Sequence, residues 1–274
     1  MPILQPPVDK ERESQTVVKY EVNERVGIIT LEDGKANTYT HQMMRQLDEA
    51  ILKARFDTDV DVILLRGAGD KFFCAGANIE MLEGSDPTWK YFFCLHANET
   101  LSRLEQTPKL VIAACQGHTV GGGLEIAMAA DIRIGSRDSG RVGLPEINLG
   151  VLPGTGGTQR LVRIVGKARA IELMTTGRLI SFEEAHDLGI INEIYEPENF
   201  DDQILAYAKQ FTLPNKAAKA VGNIKRSCQS GAEMSFEASL TLERELQKEL
   251  FGTADAKEGF NAYNSKRTPS FKGA

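Results

Sequence analysis

The sequence predicts an α/β fold followed by a helical C-terminal region. Over the first two thirds or so of the chain, short runs of apolar and β-branched residues alternate with segments whose apolar residues recur at helical spacing. After about Asp202 the strand patterns end and only helical patterns remain. With 274 residues, the chain is long enough to bury a substantial core, either as one large domain or as a domain with a small appendage.

The N-terminal elements follow from these patterns. Residues 17–22 and 26–31 are predicted strands on either side of a polar turn, so they form a hairpin. Residues 43–54 have apolar side chains at helical spacing with charged ones between them, which predicts a helix with one buried face. Residues 60–65 form the continuous apolar run that is typical of a buried strand.

The middle of the chain repeats this alternation. Apolar residues between Trp89 and Leu104 predict a helix that ends before Pro108. The predicted buried strand Leu110–Cys115 then leads directly into the glycine triplet Gly121–Gly123.

Further along, residues 131–134 form a short predicted strand. Ser181–Glu184 has the pattern of a capping box and opens a helix that Gly189 can end. A strand over residues 190–195 follows. The helical patterns beyond it are too thin to hold a core alone, so we expect them to pack on the core, on a neighbouring subunit, or on both.

Composition narrows the function classes. The net charge of −6 at pH 7 argues against a surface dedicated to nucleic acid. No apolar run approaches the roughly 20 residues that span a bilayer, and the N-terminal sequence lacks the patterns of a secretion signal or a transit peptide. The four cysteines lack CxxC spacing and the four histidines are scattered, which indicates reduced thiols and no metal site. We therefore expect a cytoplasmic protein without a membrane or nucleic-acid partner.

Two glutamates lie in glycine-rich surroundings. Glu125 closely follows the glycine triplet, and Glu146 precedes the glycine-rich loop at residues 154–160. A carboxyl group among small and apolar residues is costly to ionise, which tends to raise its pKa. Two such groups facing one cavity suit proton donation and water activation near neutral pH. Glu125 and Glu146 are therefore the predicted catalytic pair.

The apolar run that ends at Cys115, the glycine triplet and the apolar residues after it together predict a strand, a tight loop and the start of a helix. Unpaired N–H groups at a helix start bind anions, and glycine lets a ligand approach the backbone. The loop at residues 154–160 lacks the lysine of a P-loop, and Glu125 one turn into the helix would repel a phosphate. An oxyanion hole therefore fits better than a phosphate site. His118, just before the triplet, is predicted to bond to the backbone or to pack.

Four motifs together carry a resemblance to a known family. They are Cys74–Ile79, Gly117–Asp131, Pro145–Glu146 and Pro153–Leu161. In this order they closely resemble the enoyl-CoA hydratase/isomerase (crotonase) superfamily, and the likeness extends from the hairpin to a closing helix near the C-terminus. Only residues 1–15 or so lie outside it.

The resemblance implies a fold and a domain plan. The family stacks ββα turns into a right-handed spiral, and its C-terminal helical region builds trimers that often pair into hexamers. On this plan residues 1–15 are a flexible tail, residues 16–201 are the crotonase-like spiral core with the active site, and residues 202–274 are the helical oligomerisation region. The expected partners are an acyl-CoA substrate and further copies of the chain.

The resemblance also implies which residues form the site. The backbone N–H groups of Ala77 and Gly122 are expected to bind the thioester oxygen of an acyl-CoA as it becomes an enolate. Hydratases of the family carry two glutamates at the positions of Glu125 and Glu146. Asn78 stands where many relatives have aspartate, which matters little because this segment is thought to act through its backbone. The residues expected to bind the substrate are Ala75, Gly76, Ala77, Asn78, Ile79, Gly121, Gly122 and Lys266.

The expected reaction is the reversible hydration of an enoyl-CoA to a 3-hydroxyacyl-CoA. It needs negative charge held on the thioester oxygen, a proton for the α-carbon and water held at the β-carbon. Two N–H groups and two carboxyls supply these, so no metal or redox cofactor is required. Other family reactions stay open, namely isomerisation, dedicated dehydration and thioester lysis, and so does a noncatalytic RNA-binding role.

Two further features have both a structural and a functional interpretation. Trp89, Phe92 and Phe93 either line an apolar acyl pocket or belong to the core. Lys266 and Arg267 either meet the phosphates of the coenzyme, across a subunit boundary, or are solvated charges.

Overall fold

The computed structural model describes residues 15–34 and 36–274, so the predicted N-terminal tail lies outside the described residues apart from Gln15. A 3-10 helix covers Glu146–Leu149. The strands are β1 (Val18–Asn23), β2 (Val26–Leu31), β3 (Val62–Gly67), β4 (Phe72–Cys74), β5 (Leu110–Cys115), β6 (His118–Val120), β7 (Ile132–Ser136), β8 (Val142–Gly143) and β9 (Glu193–Tyr195). The α-helices are α1 (His41–Phe56), α2 (Ile79–Glu83), α3 (Pro87–Glu105), α4 (Gly122–Met128), α5 (Gly157–Val165), α6 (Lys167–Thr176), α7 (Phe182–Asp187), α8 (Phe200–Lys209), α9 (Ala218–Gly231), α10 (Phe236–Phe251) and α11 (Ala254–Asn264).

The larger sheet has six strands in the order β1-β2-β3-β5-β7-β9. β1 runs antiparallel to β2, which confirms the predicted hairpin, and the other neighbouring strands pair in parallel. Side chains of β2 and β3 alternate between two cores: Ile29 and Leu65 belong to one, and Ile28 and Leu64 to the other. Burial on both faces explains why these strands appear in the sequence as continuous apolar runs.

The smaller sheet has three parallel strands in the order β4-β6-β8. Along the chain, β3, β5 and β7 each enter the larger sheet, and the strand that follows each of them enters the smaller one. The repeated ββα turns confirm the crotonase-like α/β architecture that the resemblance implies. β6 and β8 contain three and two residues, too few for an alternating pattern, so the sequence does not predict them.

The helices of the core agree with their sequence patterns. α1 and α3 confirm the helices predicted over residues 43–54 and after Trp89. Ser181 caps α7 as expected, because its side chain accepts a hydrogen bond of 3.1 Å from the N–H of Glu184. Within the described residues, no helix is both long and apolar enough to cross a membrane.

The C-terminal region is joined to the core at its first two helices. α8, which begins two residues before the predicted region 202–274, packs Phe200 and Ile204 against one face of the larger sheet and completes the smaller of the two cores. On α9 the buried Nζ of Lys225 lies 2.9 Å from a carboxylate oxygen of Asp131, at the start of β7. α10 and α11 instead leave large apolar side chains exposed, namely Phe236, Phe251, Phe260 and Tyr263.

Candidate active site

A cavity of about 500 Å³ gathers most of the predicted site residues. It lies between the segment that follows β4, the turn that begins α4, and the 3-10 helix. The predicted residues that line it are Ala75, Gly76, Ala77, Ile79, Gly121, Gly122, Glu125 and Glu146.

Two backbone N–H groups at this cavity are free to bind an oxyanion. Tyr39 pairs with the segment around Ala77 through hydrogen bonds from its own N–H to Gly76 and from Asn78 to its carbonyl, of 2.9 and 3.0 Å. The N–H of Ala77 takes no part in this pairing. Gly122 is the first residue of α4, so its N–H has no acceptor inside the helix. No backbone acceptor is found for either N–H among residues 15–34 and 36–274.

Close packing places these two donors side by side. A Cβ atom on Gly76 would lie only 3.1 Å from the backbone nitrogen of Gly122. A Cβ atom on Gly122 would overlap the ring of Tyr39, at 1.9 Å from its nearest carbon. The second of the three glycines is therefore required because the Tyr39 ring lies directly against the backbone at this point.

Glu125 is almost fully buried and is held by the loop that begins α5. Its Oε1 accepts hydrogen bonds of 2.7 Å from the backbone N–H groups of Thr155 and Gly157. Burial raises the pKa of Glu125, while these two N–H bonds act in the opposite direction. Because Gly157 is the first residue of α5, the helix N-terminus also favours the charged carboxylate.

Glu146 has a different environment across the same cavity. It begins the 3-10 helix and is partly buried, and within the described part of the chain its Oε2 has no hydrogen-bond partner. Burial raises the pKa of Glu146 to about 7, and the charge of Glu125 adds to this effect. A Cβ atom on Gly121 would lie 3.0 Å from Oε1 of Glu146, so this carboxyl directly faces the turn that carries the Gly122 N–H.

The two carboxyls differ in how their charged forms are stabilised. Glu125 has two donors that stabilise its charge, whereas Glu146 has a carboxyl oxygen with no donor and a pKa near neutrality. Two titratable groups in one cavity with such different surroundings are suited to share the acid and base steps of a reaction.

Sequence reasoning did not identify three residues of the site. Tyr39 lines the cavity, and its hydroxyl lies 2.9 Å from that of Thr155, which joins it to the loop that holds Glu125. Lys90 lines the cavity from α3. Their signals in the sequence are weak, since a tyrosine before a helix and a lysine on one have many uses. The glycines around Thr155 were a usable signal, because so glycine-rich a loop brings N–H groups close to a ligand.

Several other predicted residues lie away from the cavity. Asn78 does not line the cavity, and its side chain caps α2 by accepting a hydrogen bond of 2.9 Å from the N–H of Met81. Lys266 follows α11 and does not line the cavity within one chain. Arg267 forms a two-pronged ion pair with Glu258.

The remaining interpretations are settled for the aromatic residues and for His118. Trp89 and Phe93 are buried and stack on each other, which confirms their place in the core, and Phe92 is exposed. None of the three lines the cavity. His118 accepts a hydrogen bond of 3.2 Å from the backbone N–H of Arg141, as the backbone-bonding interpretation predicts.

Known proteins resemble this chain over most of its length. The model of the enoyl-CoA hydratase/isomerase family matches residues 21–274. A probable enoyl-CoA hydratase of Bacillus subtilis is 37% identical, over 92% of this chain and 97% of its own. A short-chain-enoyl-CoA hydratase of Clostridium acetobutylicum is 35% identical over 89% and 92%. The crystal structure of an enoyl-CoA hydratase from Geobacillus kaustophilus superposes with a TM-score of 0.92, at 39% identity, over 95% and 98%. The chain therefore belongs to the enoyl-CoA hydratase/isomerase family.

Proposed function

We propose that this protein catalyses the reversible addition of water across the 2,3 double bond of an enoyl-CoA thioester, giving a 3-hydroxyacyl-CoA. The observation that carries the proposal is the meeting of Glu125 and Glu146 in one cavity beside two unpaired backbone N–H groups. Relatives named as hydratases, similar over most of their length, support the same reaction.

The N–H groups of Ala77 and Gly122 have the first task. As hydroxide adds to the β-carbon, electron density moves to the thioester oxygen, and two fixed donors stabilise that charge without reorganisation. Loss of one such donor typically lowers the rate by about a hundred- to a thousandfold. Both donors belong to the backbone, so the packing around Gly76 and Tyr39 fixes their positions.

The two glutamates divide the remaining work. Glu146, with a pKa of about 7, is the group that delivers a proton to the α-carbon. Glu125, fixed by Thr155 and Gly157, holds and polarises the water that attacks the β-carbon. Glu125 takes the proton that the water releases as its hydroxyl adds to the β-carbon, and Glu146 gives its proton to the α-carbon. Transfer of one proton from Glu125 back to Glu146 restores both carboxyls, so the net change is the addition of one water molecule. The mechanism uses no metal or redox cofactor, and coenzyme A enters as part of the substrate.

The coenzyme is expected to contribute most of the substrate affinity. We assign part of that task to Lys266 of a neighbouring subunit, because Lys266 does not line the cavity of its own chain. Replacing Lys266 with alanine should raise KM for an enoyl-CoA and leave kcat nearly unchanged, as expected for loss of uniform binding. An unchanged KM would assign Lys266 to the solvated surface instead.

A cytoplasmic location is part of the proposal. Cys74, Cys94, Cys115 and Cys228 are all free thiols, and Cys74 and Cys115 are buried. A chain that keeps its cysteines reduced is typical of a reducing compartment.

Steady-state hydration of crotonyl-CoA by single variants tests the catalytic assignment. We expect Glu125→Gln and Glu146→Gln each to lower kcat by at least about a hundredfold, with little change in KM. Because the two groups act as a unit, the double variant should lose far less than the product of the two single losses. Glu83→Gln, an exposed glutamate that does not line the cavity, is the matched control.

The same assays separate the rival functions. Near-normal hydration by either folded single variant would refute the two-glutamate mechanism. Double-bond migration without hydration would make the protein an isomerase. Retarded RNA mobility at physiological salt, with no turnover of crotonyl-CoA, would favour the noncatalytic role.

A further inference from the structure

The cavity wall contains one lysine among mostly apolar side chains. Most of the side chains nearby are hydrocarbon, including those of Ile79, Leu82 and Leu152, whereas Lys90 brings a cation into the same wall. Lys90 is half-buried, and its Nζ lies 5.0 Å from the centre of the Phe93 ring. Phe93 in turn stacks on Tyr39, the residue that packs against Gly122. The ammonium group also lies close enough to Glu146 for its charge to act on that carboxyl.

This cation has no ion-pair partner in the described part of the chain. Asp86, also at the cavity, is one turn before Lys90 on α3, but its Oδ1 caps the helix by accepting hydrogen bonds from Thr88 and Trp89. Glu146 feels the charge of Lys90, yet its Oε2 has no hydrogen-bond donor. Its neighbour is the Phe93 ring and no carboxylate pairs with it, so the ammonium group is available to bind an anion.

A purely hydrocarbon acyl chain would gain no binding energy from Lys90. Burial of an apolar chain is favoured by the surrounding leucines and isoleucine, while a charged group beside it must stay hydrated. The cation also lies beside Glu146, where it opposes the effect of burial on the carboxyl pKa. Lys90 therefore disfavours an apolar chain beside it and lowers the pKa of Glu146, unless a charge on the substrate neutralises it.

We propose that the enoyl-CoA hydrated here carries a carboxylate on its acyl chain, and that Lys90 binds that carboxylate. This inference rests on the proposed function and names its substrate class. An ammonium group is a strong donor to a carboxylate. Asn148, which also lines the cavity, offers an amide as a second donor.

Binding such a substrate also prepares the acid step. When the substrate carboxylate pairs with Lys90, the cation no longer favours the ionised form of Glu146. The proton needed at the α-carbon is then held more firmly on Glu146 in the complex than in the free enzyme. An acyl chain that ends in a methyl group leaves the Lys90 charge unpaired and lacks this effect.

Two substrates that differ at one position test the inference. Crotonyl-CoA has a methyl group on C3, and glutaconyl-CoA has a carboxymethyl group there. We expect wild-type kcat/KM to favour glutaconyl-CoA. Lys90→Met should lower kcat/KM for glutaconyl-CoA at least about tenfold more than for crotonyl-CoA, because only the former loses an ionic contact. Lys90→Arg keeps the charge and should retain most of the preference.

Lys53→Met is the matched control, since Lys53 also lies over an aromatic ring, Tyr20 at 5.1 Å, but outside the cavity. It should change neither substrate's kinetics. Equal losses for both substrates in Lys90→Met would overturn the inference and assign Lys90 to coenzyme binding or to Glu146 alone. A wild-type preference for crotonyl-CoA would overturn it as well. Failure of the wild type to hydrate either substrate would instead refute the proposed function.

Discussion

At the scale of single residues, environment distinguishes two side chains of the same chemistry. Glu125 and Glu146 are both glutamates, and burial raises the pKa of each. Glu125 is nevertheless fixed by two N–H bonds of 2.7 Å, whereas the Oε2 atom of Glu146 has no donor in the described part of the chain. Hydrogen bonds stabilise a carboxylate, and their absence favours its protonated form. The roles of acid and base that we propose for them therefore rest on where the backbone places each carboxyl.

A pH profile tests this division. Because Glu146 must be protonated to donate to the α-carbon, kcat/KM for hydration should fall as the pH rises through about 7, where Glu146 ionises in the free enzyme. The raised pKa also means that the folded state binds this proton more tightly than the unfolded state. The stability it contributes is present in acid and is lost as the pH rises through about 7.

The control is Glu146→Gln, whose remaining activity should lack this alkaline decline because glutamine does not titrate. Reactions with substrate and without enzyme set the background rate at each pH. A wild-type profile that stays flat between pH about 6 and about 9 would contradict the assignment of Glu146 as the acid.

At the scale of elements, the start of α5 fixes the position of the Glu125 carboxylate. A Cβ atom on Gly157 would lie 2.9 Å from Oε1 of Glu125 and 2.8 Å from Pro153. We expect Gly157→Ala to displace the carboxylate and to lower kcat by at least about tenfold, while the fold persists, since a small misplacement of a reacting group is costly.

Gly252→Ala, at the end of α10, is the matched control. Its added Cβ would meet only the carbonyl of Glu249, at an ordinary contact distance of 3.6 Å. Crotonyl-CoA hydration and circular dichroism of both variants give the comparison. Equal activity of Gly157→Ala and Gly252→Ala would show that the α5 start does not position Glu125.

The same element shows how far the sequence leads. The hairpin, α1, α3 and α7 have apolar periods and caps that predict them, because each has a repeated pattern or a recognised end signal. The loop before α5 has glycines whose role becomes visible only when Glu125 is brought to Thr155, thirty positions away in the chain. Lys90 is one of many helical lysines until folding places it at the cavity. Long-range contacts of this kind leave no local period in the sequence.

A buried ion pair joins α9, in the C-terminal helical region, to the core. Nζ of Lys225 on α9 bonds to Asp131 and to the carbonyls of Leu104 and Lys109. Burial lowers the pKa of Lys225 and raises that of Asp131, so each needs the other to remain charged. Lys225→Met should lower the free energy of unfolding by about 3–5 kcal/mol, because it leaves a buried carboxylate without its partner.

Urea unfolding at one fixed protein concentration measures this loss. Lys248→Met removes the lysine of an exposed pair with Glu245 on α10 and should change the midpoint little. If both variants shift the midpoint equally, the ion pair between Lys225 and Asp131 does not stabilise the packing of α9 on the core. A smaller loss in acid, where Asp131 becomes neutral, is also expected for Lys225→Met.

At the scale of the whole molecule, the spiral gathers the site from distant parts of the chain. Parallel strands of the smaller sheet end near one another, so the segment after β4 and the turn after β6 supply one N–H each. The 3-10 helix after β8 adds Glu146. Three successive ββα turns thus each contribute one part of the candidate site, while α10 and α11 contribute no residue to the cavity of their own chain.

α10 and α11 expose large aromatic side chains that their own chain does not cover. Phe236 is 73% exposed and Tyr263 84% exposed, and Phe251 and Phe260 on the same two helices are exposed as well. We expect them to be covered by neighbouring subunits in a homo-oligomer with threefold symmetry, a trimer or a pair of trimers. Sedimentation equilibrium at micromolar concentration measures the assembly, and a wild-type monomer would contradict the expectation.

Charged substitutions locate the interface. Phe236→Asp and Tyr263→Asp should each shift the population toward monomers, because burial of a carboxylate in an apolar contact is costly. Phe56→Asp is the matched control, since Phe56 is 79% exposed but ends α1, outside the C-terminal helices. If Lys266 contributes to the site of a neighbouring subunit, loss of assembly should also raise KM for the enoyl-CoA. The rise in KM of Phe236→Asp and Tyr263→Asp should then be proportional to the fraction of trimers that each variant loses. Monomers that keep the wild-type KM would separate assembly from coenzyme binding and return Lys266 to the solvated surface.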